Sequence, residues 1–334
     1  MIRFLFLLIV AGAGAAWFGW TDYQRYLNQP IALADSGQRL TVQRGWSAKR
    51  VADELEQQGV IEKRYWFDLY ARLSKQAGGI KSGEFNLTGP MTVPQLFDTL
   101  VEGQTVQYSL SLIEGSNWKQ AIQRVAQSDD LVLTLDEQTR QSSEKLMEAL
   151  GLDELHPEGQ FFSDTYAFPK GTSDVEYLLR AHAMLNKVLA EEWAKRSADL
   201  PLKTPYEALI LASIVEKETA VASERPLIAG VFLSRIIKRM RLQTDPTVIY
   251  GMGDNYDGNI RRSDLTTDTP YNTYTRGGLP PTPISMVGRE AIHAVLHPEA
   301  TTALYFVARG DGTHQFSETL QQHNAAVRKF QLKR

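Results

Sequence analysis

The 334-residue chain contains no cysteine. That excludes a disulfide framework, a thiolate metal site and a cysteine-linked lipid anchor. Its six histidines form no His-Glu-x-x-His motif and no ligand-spaced cluster, so neither a metal nor another cofactor is expected. Walker and Gly-x-Gly-x-x-Gly patterns are missing too, and Gly277-Gly278 is not a phosphate loop. Ser213 and Ser285 sit in no nucleophile elbow, which disfavours a serine hydrolase. The net charge is only −3 and no basic stripe runs along the chain, so nucleic acid is not an expected partner.

Apolar residues make up 43% of the chain, enough for buried cores, and its length suits two domains. One long uncharged run stands at the start, from Phe4 to Trp20. As a helix it spans about 26 Å, a little short of the roughly 30 Å hydrocarbon core, and local thinning covers the gap. Ala13-Gly14-Ala15 resembles a signal-peptide cleavage site. Trp17, Phe18, Trp20 and Tyr23 instead suit the interfacial belt of an uncleaved anchor, which is the favoured reading. Arg3 is the one charged side chain before the run, which places the amino terminus in the cytoplasm and the rest outside it.

The expected fold class is α+β. Residues 1–21 read as the anchor and 22–37 as a spacer. A strand at 39–42, a helix capped by Ser47, a helix at 65–73, a strand at 80–87, a helix after Thr92 and a strand at 106–113 follow. Beyond them come a helical stretch at 119–151, an aromatic loop at 158–166 and a helix at 175–196. Thr204-Pro205-Tyr206-Glu207 is a helix start with cap, proline and acid in order. A further helix runs to about Met240. A hairpin turns at Arg309–Thr313, and a last helix covers 320–330.

The most informative run is Ala208 to Thr219, nearly all apolar until Glu216 and Glu218. A carboxyl group among apolar walls resists ionisation and can lend its proton to a leaving group. Glu216 and Glu218 are two residues apart and point to nearly opposite helix faces, and helix geometry does not choose between them. Both could equally be solvated residues at a fraying end, beside Lys217. Downstream stand Gln243–Gly251, Tyr271–Tyr274 and Gly277–Ile284, polar and aromatic stretches that suit a cleft for a hydroxyl-rich polymer.

Ser213–Thr219, Arg241–Gly251, Tyr271–Tyr274 and Gly278–Pro281 together resemble the YceG-like family of membrane-anchored peptidoglycan lytic transglycosylases. The resemblance runs from the anchor to the last helix and is strongest from 204 to 284. It implies a LysM-like α+β subdomain at 38–106 and a larger α+β catalytic domain at 107–334. It selects Glu218 as the catalytic acid. Glu158–Tyr166 matches a family segment in which Ser163 replaces a proline. Glu158, Gln243, Thr244, Asp245, Tyr250, Asn272 and Tyr274 are the substrate-binding candidates. The implied reaction cuts the β-1,4 bond between N-acetylmuramic acid and N-acetylglucosamine and leaves a 1,6-anhydro end. The implied partners are glycan strands, the inner membrane and cell-wall synthases. A hydrolase in which Asp245 or Glu158 activates water is one alternative. A glycan-binding scaffold without catalysis is another.

Overall fold

The computed structural model describes residues 2–34 and 37–332. Met1 of the anchor, residues 35 and 36 of the spacer and the last two residues lie outside the described ones. The chain divides into two compact units. The first takes the chain up to Ser109, with Asp130–Val132 and Ala167–Thr172; the second takes Leu110–Asp129, Leu133–Tyr166 and everything from Ser173.

The first unit opens with α1 (Ile2–Asn28), whose stretch from Arg3 to Asn28 is long and apolar enough to cross a membrane. Its early large side chains are bare, Trp17 at 72% and Phe18 at 74% exposure. The spacer expected at 22–37 differs from what is found. The helix continues to Asn28, because Tyr23 and Tyr26 are buried and Asp22 accepts from Lys63 Nζ and Trp66 Nε1 at 2.8 and 2.9 Å. Next come β1 (Gln38–Val42), α2 (Ala48–Gln57), α3 (Arg64–Leu73), β2 (Gly83–Leu87) and α4 (Val93–Glu102). Strands β1 and β2 pair antiparallel, Leu40 opposite Phe85. Their inward residues meet Val51, Leu55, Phe67 and Phe97 in one core. Ser47 Oγ caps α2 by accepting from Arg50 N, as its sequence position implies.

The strands β3 (Gln107–Ser111) and β4 (Thr165–Pro169) form a second two-stranded sheet, and the division between units falls within both strands. Between them lie α5 (Trp118–Ala126), α6 (Glu137–Gln141) and α7 (Ser143–Ala149). The second unit continues with α8 (Asp174–Ala194), α9 (Pro205–Glu218), α10 (Arg225–Ile237), α11 (Asp245–Met252), α12 (Arg262–Thr266) and α13 (Arg289–Leu296). The antiparallel hairpin β5 (Tyr305–Ala308) and β6 (His314–Ser317) and the helix α14 (Leu320–Phe330) complete it.

Every residue of α9 from Ala208 to Val215 is buried, as a helix apolar on all sides requires. It lies among α8, α10, α11 and α13. Asp245-Pro246, within the polar stretch Gln243–Gly251, starts α11, with proline in its first turn. Helix α13, unmarked by any cap signal in the sequence, is a main partner of α9. Gly230 of α10 lets the chain after α13 approach. A Cβ there would stand 2.4 Å from Glu299 O and 3.1 Å from Thr301 Cγ2. Gly230→Ala should therefore destabilise the protein by about 1–3 kcal/mol through overpacking. An unchanged urea midpoint would refute that.

Candidate active site

Helix α9 ends at Glu218, and the last turn separates its two acids. Glu216 turns to Arg225, its Oε1 lying 3.1 Å from Nη2, while its Oε2 accepts from Gly288 N at 3.1 Å. Glu218 turns the other way, and its Oε1 accepts from Thr244 Oγ1. The bland reading, two solvated acids at a frayed end, does not describe either residue.

Glu218 lines a cavity of about 510 Å³ with Arg235, Gln243, Thr244, Asp245, Tyr274 and residues of the hairpin and α14. Burial pushes the Glu218 carboxyl group up to about 7; the Thr244 hydroxyl opposes this and the Asp245 charge adds to it. The Thr244 bond occupies one carboxyl oxygen and leaves the other to carry the proton. Thr244→Val removes the donor that favours the anion. It should slow turnover roughly tenfold and move the alkaline limb of the pH–rate profile upward. An unmoved limb would argue against this role.

Thr244 is aimed by its neighbours. Gln243 adopts φ 51°, a left-handed conformation that costs a non-glycine residue about 1 kcal/mol. Its N–H donates to Thr273 O at 3.2 Å, and Thr244 N donates to Thr273 Oγ1 at 3.1 Å. Tyr274 follows, its hydroxyl donating to Asp245 Oδ1 at 2.6 Å. Of the substrate-binding candidates, Gln243, Thr244, Asp245 and Tyr274 thus join Glu218 in one cavity.

Glu158, Tyr250 and Asn272 do not line it. Glu158 is fully buried and accepts from Trp118 N at the start of α5 at 3.1 Å, with the Tyr250 hydroxyl as a second partner. Burial pushes its carboxyl group up to about 7, against both of those hydrogen bonds. Tyr250 also rests edge-on against Tyr271, ring centres 4.7 Å apart. Asn272 is buried and ties loop backbone together. Its Nδ2 donates to Thr267 O at 2.7 Å and Asp264 O at 3.0 Å, and its Oδ1 accepts from Tyr274 N at 2.9 Å. Of these three, Asn272 is the one bonded to a cavity residue, through Tyr274 N.

Sequence reasoning missed the opposite wall. Arg235 is buried, donating through Nε to Leu304 O and through Nη1 to Leu242 O, both at 2.7 Å. Its guanidinium stands 5.1 Å over the Tyr305 ring, and Tyr305 stacks on His323 at 5.3 Å. The signal that existed was one arginine in the apolar run Leu227–Ile237. Nothing local marked Tyr305 or His323. The expectation of no ligand cluster also needs correction: Glu192, His293 and His297 bring ligand atoms within 4.8 Å of one another. There Glu192 pairs with Arg289 at 2.6 Å and with His293 Nδ1 at 2.9 Å.

A proton-holding carboxyl group in a polar and aromatic cavity is the equipment of an acid–base catalyst. A family model described as the YceG-like family matches residues 40–329, and the chain belongs to that family. It is 29% identical to a Bacillus subtilis protein named endolytic murein transglycosylase, over 92% of this chain and 89% of that protein. A Streptococcus pneumoniae protein of the same name is 28% identical over 98% of this chain and 64% of its own length. Among solved structures, a yceG-like protein from Listeria monocytogenes superposes with a TM-score of 0.53 at 29% identity, covering 87% of this chain and 99% of that one.

Proposed function

We propose that this chain is an endolytic murein transglycosylase, with Glu218 as its acid and base. The observation that carries this is the carboxyl group of Glu218, desolvated and held by Thr244 inside the cavity, in a chain of this family. Protonated Glu218 gives its proton to the oxygen bridging N-acetylmuramic acid C1 and the next sugar. The C1–O bond breaks through an oxocarbenium-like state. The C6 hydroxyl of the same muramic residue then bonds to C1, and its proton returns to the Glu218 carboxylate. The ring closes without water, and the acid is regenerated. The internal hydroxyl needs no second carboxylate to activate it, because it is already held beside C1 at high effective concentration.

On this reading α1 anchors the protein in the inner membrane with its amino terminus in the cytoplasm. The first unit is a LysM-like glycan contact, and the site trims newly made strands beside cell-wall synthases. The test is mass spectrometry of uncrosslinked glycan strands after incubation with the full chain in detergent. A product one water lighter than the hydrolysed one is expected. A reducing-end product would make the protein a hydrolase, and intact bound strands would make it a scaffold.

A further inference from the structure

A second cavity, of about 770 Å³, opens beside the C-terminal end of α9, lined by Glu216, Lys217 and Thr219 rather than by Glu218. Lys217 and Thr219, the immediate neighbours of Glu218, line it together with Glu114, Ser163, Asp164 and Arg225. Its chemistry differs from that of the first cavity. It has no aromatic wall, and it holds both signs of charge. Two of its lining residues carry a buried donor without a partner: Ser163 Oγ, in a residue 6% exposed, and Arg225 Nε. Buried polar atoms in folded proteins nearly always have partners, so an unsatisfied pair in a cavity wall marks a place for a ligand's acceptors. The two carboxylates, of Glu114 and Asp164, belong to exposed residues. Glu114 lies against Gly288, where a Cβ would come within 1.8 Å of Oε1, and Asp164 Oδ1 accepts from Thr165 N at 2.7 Å. Lys217 Nζ donates to Gly115 O at 3.0 Å from an exposed position.

A bare sugar needs hydroxyl partners and aromatic faces. Donors, cations and carboxylates together suit a ligand that carries amides, carboxylates and an amine. A muramic acid residue bears such a group on its lactyl arm, the peptide stem. Adjacent Cα atoms are about 3.8 Å apart, so Lys217 and Thr219 put this cavity within a residue or two of peptide length from the acid. We propose that the second cavity binds the peptide stem of the muramic acid residue at the cut. This rests on the transglycosylase reading above.

The probe is the free stem peptide L-Ala-D-Glu-meso-diaminopimelate-D-Ala, titrated calorimetrically into the full chain in detergent. Saturable binding is expected, weakened about tenfold by Ser163→Ala and similarly by Lys217→Met, whose exposed side chain leaves the core untouched. Wild-type protein should also cut stem-bearing glycan faster than strands stripped by an amidase, and Lys217→Met should bring that ratio toward one. Absence of saturable binding, or equal binding by the variants, overturns the proposal; so do equal rates on the two glycans. Glu218-dependent cleavage without peptide binding would sink this assignment alone. Peptide binding, weakened in the variants, without cleavage of either glycan would leave the cavity a stem-peptide site while sinking the transglycosylase reading and, with it, the placement at a cut.

Discussion

Glu218→Gln should leave the fold in place and lower turnover by about 10³-fold or more, since general acid and base roles are lost together. Glutamine keeps the size of the side chain and can still accept from Thr244 Oγ1, so the cavity wall survives. The wild-type pH dependence should carry the same signature. The first step needs Glu218 protonated. With its carboxyl group raised to about 7, kcat/KM should be level below that pH and fall about tenfold per unit above it. Rates with soluble uncrosslinked strands, from pH 5 to 9, check both. A variant as fast as wild type would remove Glu218 from the mechanism. A rate that rises through pH 7 would show that the group acts first as a base.

Stability should move with pH through the same carboxyl groups. Glu158 and Glu218 both stand near 7 in the folded chain, against an ordinary value of 4.5. The folded protein therefore holds these protons more tightly than the unfolded one. Their contribution is fully present below about pH 4.5 and is lost as pH rises to about 7, where the folded chain must ionise them under desolvation. The upper bound is ~3 kcal/mol for each group, a large share of a typical folding free energy. Glu158→Gln should accordingly gain stability over wild type at pH 8 and gain little at pH 4.5. Urea unfolding at the two pH values measures this. A pH-independent difference would show that Glu158 ionises in the folded chain as it does in water.

Much of this architecture was legible in the sequence, for reasons of chain-local chemistry. Thr204, Pro205 and Glu207 announce α9, and Thr204 Oγ1 does accept from Glu207 N at 3.1 Å. Gly310 and Gly312 adopt φ near 90°, which is how the β5–β6 hairpin turns at the expected place. What stayed hidden depends on tertiary contact. The two acids of α9 are equivalent on a helical wheel; only Arg225 and Gly288 on one side and Thr244 on the other distinguish them. The helix that Asp245 starts was not marked in the sequence because it is only eight residues long. The wall made by Arg235, Tyr305 and His323 joins residues far apart in the chain, and no periodicity records it.

The unbroken run of α1 into the first unit has a mechanical consequence. Tyr23 is buried in that unit only three residues after the exposed Trp20, about 4.5 Å along a helix. Tyr23 also meets the Trp66 ring at 5.2 Å, and Lys63 grips Asp22. With α1 in a bilayer, no unstructured linker separates the membrane helix from the first unit. It stands as if on a mast stepped at the lipid surface, and its height above the lipid is fixed by the helix rather than by a tether. On the proposed reading of this unit as a glycan contact, a glycan held there would be presented at a constant altitude, so a change in bilayer thickness or helix tilt would change which part of the wall comes within reach.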